Sequence, residues 1–324
     1  MKALVIFGSL TNEDKYGRAS GERVVASLTR KGFLVEALHA SDRKSFLCAL
    51  SNTPPDLVVP VGFGPPCEDG HIFAVARLAG IPCAGPSPAA GSLMQDKSNL
   101  ARVAAAVFGS GTGIHVPQGV SISGPLAFDE FTSVVRSVKP PYIVKPCFSG
   151  SSEGLGVFDD LYLAYESTMN LVAIEGEVLI QHLEHPTLCE ISCTMVEDLS
   201  GSRLLPIVEL TKGDARVLDA KLKFGQDAKS QHVIPARLPL AVEMKIKWAL
   251  PILHKAVGAV GLTRTDIIVR PDGDLVILEM NGIPGLLETS IASDAAKAAG
   301  IEFDDLAEMY AMSAFLPRRE PKVW

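Results

Sequence analysis

Apolar residues along the chain fall into short runs separated by longer mixed stretches. Residues 2–7, 33–38 and 56–61 are runs of the length and composition of buried strands. Between them the apolar spacing changes to a helical period over residues 20–31, ending near Gly32. A further helix is predicted from Gly70 to Ala79, then a short strand near Ile81. Strand–helix alternation of this kind implies a parallel sheet with helices on its faces. The first loop, Gly8-Ser9-Leu10-Thr11-Asn12-Glu13, falls at a strand's carboxyl end, where open α/β sheets place ligands. It lacks the G-x-G-x-x-G spacing of a dinucleotide site.

Pro86-Ser87-Pro88 breaks this alternation and marks a candidate domain boundary. Gln95-Asp96-Lys97 then opens a helix to Phe108, Val116-Pro117 starts a strand, and residues 128–138 read as a helix stopped by Pro140 and Pro141. The strand 142–146 carries Lys145 and leads into Ser149-Gly150-Ser151-Ser152-Glu153-Gly154-Leu155-Gly156. A Gly/Ser-rich loop lets backbone N–H groups approach an anion closely. No Gly-Lys-Ser/Thr opens a helix here, so it is not a P-loop. An ordinary hairpin loop and a phosphate contact stand as equal readings. Strands are expected at 157, 177–183 and 189–196. Residues 212–235 have little periodicity and read as a long loop, either an active-site lid or a solvated basic segment holding Lys221 and Lys223. Helices follow at 242–257, 292–299 and 303–315, with a poorly packed tail at 318–324.

The sharpest pattern lies at 264–290. Two β-rich runs flank Pro271-Asp272-Gly273-Asp274, a strong turn signal. If Arg270 and Leu275 close that turn, Ile268 opposes Ile277, Asp266 opposes Glu279 and Arg264 opposes Asn281. Alternation then puts Thr265, Ile267, Val269, Val276, Leu278 and Met280 on one core face. Arg264, Asp266, Glu279 and Asn281 share the other, at the end away from the turn. Directly opposed Cβ atoms lie roughly 5 Å apart, and like charges there destabilise a sheet. A divalent cation with oxygen ligands would answer that repulsion, since magnesium is usually held by one or two carboxylates plus substrate phosphates. Asn281 adds a third oxygen. A solvated strand face is the plainer reading for a lone acidic pair. Four polar groups in register, followed by Gly282-Ile283-Pro284-Gly285, weigh against it.

Composition narrows the class. The 324 residues suggest about two or three domains. A hydrophobic share of 47% with mean hydropathy +0.24 excludes disorder. No window approaches the ~18 apolar residues of a membrane span, and the opening apolar run is too short for a signal peptide. A formal charge of −7 disfavours a nucleic-acid partner. Cys48, Cys67, Cys83, Cys147, Cys189 and Cys193 show no paired Cys-x-x-Cys spacing. They read as free thiols of a cytosolic protein rather than zinc ligands.

Four segments now converge. They are Gln95-Asp96-Lys97, Lys145-Pro146 with Gly150-Ser151-Ser152, Arg264-Thr265-Asp266, and Glu279-Met280-Asn281-Gly282-Ile283-Pro284-Gly285 with Ser290. Their order and spacing resemble the D-alanine–D-alanine ligases of the ATP-grasp superfamily from end to end. The resemblance implies an α/β protein, α+β in its ATP-binding part, with an N-terminal parallel-sheet domain at 1–94 on the first-substrate side. It implies a central ATP-grasp subdomain at 95–183 and a C-terminal one at 184–324, which carries the mobile loop, the metal site and the substrate site. It further implies ATP, two magnesium ions (or manganese), amino-acid substrates, a cytoplasmic homodimer, and a place in peptidoglycan synthesis. The implied reaction passes through an acyl phosphate attacked by a second amino acid's amine.

The resemblance also implies roles. Lys97, Lys145 and Ser152 would meet the nucleotide's phosphates, Gln181 and Leu183 the adenine, and Glu190 the ribose. Lys223 would reach the γ-phosphate from the mobile loop. Asp266, Glu279 and Asn281 would hold the ions. Arg264 and the Gly285 amide would stabilise an oxyanion, Glu13 the first substrate's ammonium, and Ser290 the second substrate's carboxylate. Ser151 would link Glu13 toward the mobile loop. Several positions depart from the family pattern. The first-strand motif becomes Glu13-Asp14-Lys15-Tyr16-Gly17, the usual His-Gly becomes Phe63-Gly64, Met-Thr becomes Leu286-Leu287, and the mobile-loop Tyr becomes Phe224. In the family a Phe at this last place is associated with ester as well as amide products. The ATP half is retained and the amino-acid half altered. A sibling ligase making a lactam or depsipeptide, and a catalytically silent nucleotide-binding module, are therefore the rival expectations.

Overall fold

The computed structural model describes residues 1–150, 152, 154–211, 213, 215–217 and 231–318. Ser151, Lys221, Lys223 and Phe224, all singled out above, lie outside the described residues.

The N-terminal alternation folds as expected. Strands β1 (Lys2–Phe7), β2 (Leu34–His39) and β3 (Leu57–Pro60) form a parallel sheet in the order β2-β1-β3. Helix α1 runs Asp14–Arg30, beginning before the predicted Ser20 because its first turns are mostly solvent-facing and carry no apolar signal. Helix α2 (Arg43–Asn52) was not predicted. Its buried Phe46, Ala49 and Leu50 have helical spacing, and Asp42 caps it by accepting from the Ser45 amide at 3.1 Å. After α3 (His71–Leu78), the expected strand near Ile81 is a single parallel bridge from Val58 to Cys83.

Ser87 caps α4 (Pro88–Gln95), with Pro88 in its first turn, so the Pro-Ser-Pro break starts a helix. Asp96 caps α5 (Lys97–Phe108), accepting from the Asn99 amide at 2.9 Å. Strand β4 (Ile114–His115) precedes Val116-Pro117, and β5 (Gly119–Ile122) follows it, so the strand expected to start at Val116 is split in two. An antiparallel sheet comes next, ordered β5-β8-β6-β7, from β5, β6 (Tyr142–Pro146), β7 (Gly156–Phe158) and β8 (Val178–His182). Helices α6 (Phe128–Val135) and α7 (Leu161–Glu175) supply Phe131, Val135, Ala164 and Val172 to its core.

The largest sheet runs β12-β11-β9-β13-β14-β4, with β10 hydrogen-bonded to β9 at the side. Its strands are β9 (Cys189–Asp198), β10 (Gly201–Leu204), β11 (Val208–Thr211), β12 (Gln231–Val233), β13 (Leu262–Val269) and β14 (Leu275–Asn281), plus β4. The stretch 212–235 is thus not loop throughout, because β12 pairs back onto β11. Helix α8 (Leu240–Val257), with α4 and α5, buries one face of this sheet. Helices α9 (Ile291–Ala298) and α10 (Phe303–Met312) pack against the N-terminal sheet in a shared core. The expected loose tail is anchored at its start, where Arg318 donates to the carbonyls of Ala314, Gly85 and Ser313 at 2.9–3.1 Å.

The β13–β14 register decides the site. At its open end Asp266 pairs with Glu279 and Arg264 with Asn281, as expected. At the turn end the register shifts by one, so Ile268 opposes Val276, not Ile277. Arg270 closes the turn with Asp274 rather than Leu275, its amide donating to the Asp274 carbonyl at 2.8 Å. A bulge between the two halves absorbs the extra residue. On β14 the buried apolar residues are therefore Leu275, Val276, Ile277 and Met280, while Leu278 turns to a cleft.

The loop after β1 is held tightly. Gly17 in α1 lies so close to Gly8 that an added Cβ would sit 2.7 Å from the Gly8 carbonyl carbon and oxygen. Because both partners are backbone, Gly17→Ala should cost roughly 1–3 kcal/mol of stability. Calorimetry checks this, and an unchanged Tm would show that the contact yields freely.

Candidate active site

Three adjacent strands build the base of the site. Asp266 on β13 lies between Ser192 on β9 and Glu279 on β14. Its carboxylate is 6% exposed. It accepts from Ser192 Oγ at 2.5 Å and from Arg264 Nε and Nη2 at 3.1 and 3.0 Å. Alternation along β13 puts Arg264 and Asp266 on one face, which makes this two-bond contact possible. The Arg264 guanidinium also lies 3.9 Å from Glu279. Burial works against the charge of Arg264, and Asp266 and Glu279 outweigh it, so its pKa is raised.

Lys97 is the first residue of α5. It is nearly buried, and its ammonium donates to the Ser149 carbonyl and lies 3.6 Å from Glu279 Oε2. Gln95 Nε2 donates to the Phe148 carbonyl at 2.6 Å. The start of α5, the Gly/Ser-rich loop and the open end of the hairpin therefore meet at one point. The repulsion expected between Asp266 and Glu279 is relieved in this structure by Arg264 and Lys97.

Two clefts join there. One, of about 870 Å³, is lined by Lys97, Lys145, Ser152, Gln181, Leu183 and Glu190. These are all the described residues expected to touch ATP. Ser152 takes a left-handed backbone, φ 60°. The other cleft, of about 1190 Å³, is lined by Glu13, Arg264, Gly285 and Ser290, all expected at the substrates or the oxyanion, and by Asn281, expected at the ions. Lys97, Ser149, Gly150, Asp266 and Glu279 line both. Ser290, at the start of α9, accepts from the Leu287 amide at 2.9 Å. Glu13 is buried, and a Cβ on Gly150 would stand 3.3 Å from its carboxylate, so the glycine permits that approach.

Asp266, Glu279 and Asn281 suit a hard divalent cation. The Asn281 side-chain oxygen accepts from the Ile283 amide at 2.8 Å and keeps a second lone pair. Among the described residues no three His, Cys, Asp or Glu side chains could hold an ion together. An ion at this hairpin would thus need substrate oxygens, as magnesium commonly does.

Several site residues were not singled out from sequence. Tyr16 and Phe63 line the second cleft, both at positions that depart from the family pattern. Glu184, one residue beyond Leu183, makes a two-bond ion pair with Arg270 at 3.0 Å. His232 on β12 lines the second cleft from within the stretch read as loop. Glu68 is buried in the same cleft and accepts from the Gly64 amide at 2.5 Å. Burial pushes its pKa up to about 7. The Gly64 hydrogen bond works against this, Glu13 adds to it, and Arg264 and Lys97 oppose it.

Residues 124–310 match the family model described as D-ala D-ala ligase C-terminus, over half of the chain. The chain belongs to the D-alanine–D-alanine ligase family. Relatives of that name span nearly the whole of it. The Brucella anthropi ligase is 28% identical over 309 residues, 93% of this chain and 94% of the relative. The Methylocella silvestris ligase is 29% identical with the same two coverages. Solved structures share the fold. The D-alanine–D-alanine ligase from Bacillus anthracis complexed with ATP superposes with TM-score 0.79 at 21% identity, covering 97% of each chain. The VanG D-Ala:D-Ser ligase from Enterococcus faecalis gives 0.75 at 22%, covering 96% of this chain and 99% of that one. The expected α/β architecture, ATP-grasp with an N-terminal parallel sheet, is thereby borne out. No helix among the described residues is long and apolar enough to cross a membrane.

Glu68 gives this ligase-family site a pH signature. An acid whose pKa is raised on folding holds its proton in the native state while the unfolded chain releases it. Native stability should therefore fall as pH rises from about 4.5 to about 7. Glu68→Gln should remove that slope, which is worth roughly 1–3 kcal/mol. Denaturant unfolding at several pH values measures it, and parallel pH profiles for the two proteins would refute the assignment.

Proposed function

We propose that this chain is an ATP-dependent, ADP-forming ligase that joins two D-amino acids into a dipeptide through an acyl phosphate. The observation that carries the reading is the junction of two clefts at Lys97, Asp266 and Glu279. A nucleotide in one cleft and a carboxylate substrate in the other would bring a γ-phosphate and its acceptor together there. Phosphoryl transfer depends chiefly on positioning and charge neutralisation, and the junction concentrates cationic and anionic groups at one point.

The roles implied by the family pattern are supported by which cleft each residue lines. Lys97 and Lys145 would meet phosphate oxygens, with Gln181 and Leu183 at the adenine and Glu190 at the ribose. Glu13, buried beside Gly150, would take the first substrate's ammonium. Arg264 and the Gly285 amide would stabilise the tetrahedral oxyanion, and Ser290 would receive the second substrate's carboxylate. Magnesium, held by Asp266, Glu279 and Asn281 when bound, would neutralise charge between the transferring phosphates. Ser151, Lys223 and Phe224 are proposed from the family pattern alone. So are the domain limits at 94 and 183, a homodimer, and a cytoplasmic place in peptidoglycan synthesis.

Phosphate release from ATP across a panel of D- and L-amino acids, with mass spectrometry of the product, tests the reading. Stimulated release and a dipeptide mass are expected. No stimulation by any amino acid would overturn it.

Two substitutions probe the chemistry. Arg264→Lys keeps a charge but loses the planar fork of donors, and turnover should fall about 10²–10³-fold. A variant within a few-fold of wild type would remove Arg264 from the mechanism. Glu279→Gln should abolish turnover at ordinary magnesium with little change in melting. It is the cleaner carboxylate to replace, because Asp266→Ala would also strand the buried Arg264, at a typical cost of roughly 3–5 kcal/mol.

A further inference from the structure

His232 is placed where the second substrate of the proposed reaction would sit. It lies on β12, across from Leu210 of β11, and both line the same cleft as Ser290 and Arg264. Its Nδ1 lies 2.6 Å from Asp294 Oδ2. Asp294 belongs to the first turn of α9, and its amide donates to the Ser290 carbonyl at 3.0 Å. The residue expected to receive the second substrate's carboxylate and the residue holding His232 are therefore fixed to one helical turn. With Nδ1 committed to a carboxylate, the ring's other nitrogen, Nε2, is the one that can serve the cleft. A His oriented by an acid through one nitrogen is a general-base arrangement.

The proposed chemistry needs such a group. At neutral pH the incoming amino acid carries an ammonium, which has no lone pair with which to attack. We infer that His232, oriented by Asp294, accepts the proton of the second substrate's ammonium in this cleft. This role rests on the ligase reading above. Nε2 takes one proton, leaving imidazolium paired with Asp294. The freed amine forms the C–N bond to the acyl carbon. The acyl C–O bond to phosphorus then breaks, phosphate leaves with that electron pair, and the nitrogen's second proton goes with it or to solvent.

The charged groups around the ring are of both signs. Asp294 is the acid that faces the ring. Arg23 of α1 donates to Ser293 Oγ at 3.0 Å, and its charge is felt by Asp294 and Glu288. On the neighbouring β11, Glu209 alternates to the opposite face from Leu210 and is bound to Arg237. Arg264 and Glu13 line the same cleft and leave its charge mixed.

The test compares two nucleophiles in one enzyme. With ATP, magnesium and D-alanine as first substrate, the acyl phosphate is offered either D-alanine or hydroxylamine, which is largely uncharged at neutral pH. For His232→Gln at pH 7, the ratio of dipeptide to hydroxamate should fall about 10²-fold from wild type, the low end for a lost general base. Raising the pH, which frees more of the amine without help from a base, should restore it. Asp294→Asn should move the ratio in the same direction. A ratio within twofold of wild type at pH 7, or a fall that higher pH does not restore, would overturn the role. Equal loss of both products would also overturn it, since that marks a structural part. Wild-type protein that forms neither ADP nor hydroxamate would instead sink the ligase reading, and this role with it.

Discussion

The site depends on one buried ion pair. Asp266 and Arg264 lie two residues apart on β13, share a face, and bond through two contacts. Neither charge could stay in that environment alone. Their pairing fixes the guanidinium where it also reaches toward Glu279, and Ser192 from the neighbouring strand holds the carboxylate from the other side. Strand register sets all of this. A slip of one residue would turn Asp266 into the core and a hydrophobic side chain into the clefts.

The register is protected where it matters and relaxed where it does not. The bulge lies between the functional end and the turn, so the turn can close with its own geometry while Asp266 and Glu279 stay opposed. That also explains why the hairpin was only half legible in sequence. Counting from an Arg270–Leu275 closure gave the right pairs at the polar end, because the closure was misjudged by one residue and the bulge restores that residue. Strict alternation misplaced Leu278, since a bulge has no signature in an apolar run.

Elsewhere legibility follows the strength of local signals. The parallel strands, α5 and its Asp96 cap, and the closing helices could be read because burial periodicity and capping chemistry are encoded within a few residues. The first turns of α1 and all of α2 are mostly exposed and leave a weak apolar trace. Strands β10, β11 and β12 are short, and β11 and β12 depend on partners distant in sequence. The same reason hid Glu68 and His232. Each acquires its setting from elements far along the chain, and no neighbouring residue announces it. Lys97, Lys145 and Ser152, which line the first cleft, could be picked out from sequence because they fall in compact motifs.

The Glu184–Arg270 pair has a mechanical meaning. Glu184 follows β8 of the smaller antiparallel sheet, and Arg270 stands at the turn of the hairpin in the larger one. The two sheets are thus tethered by charge beside Leu183, whereas at the other end of the cleft α5 meets the Gly/Ser-rich loop through Gln95 to the Phe148 carbonyl and Lys97 to the Ser149 carbonyl. A body held by a two-bond ion pair at one end and by single hydrogen bonds at the other behaves as a lever with its fulcrum at the ion pair. Any rotation between the sheets then changes the gap least around Leu183 and most around Lys97, so such a cleft can exchange what lies at one end while keeping its grip at the other.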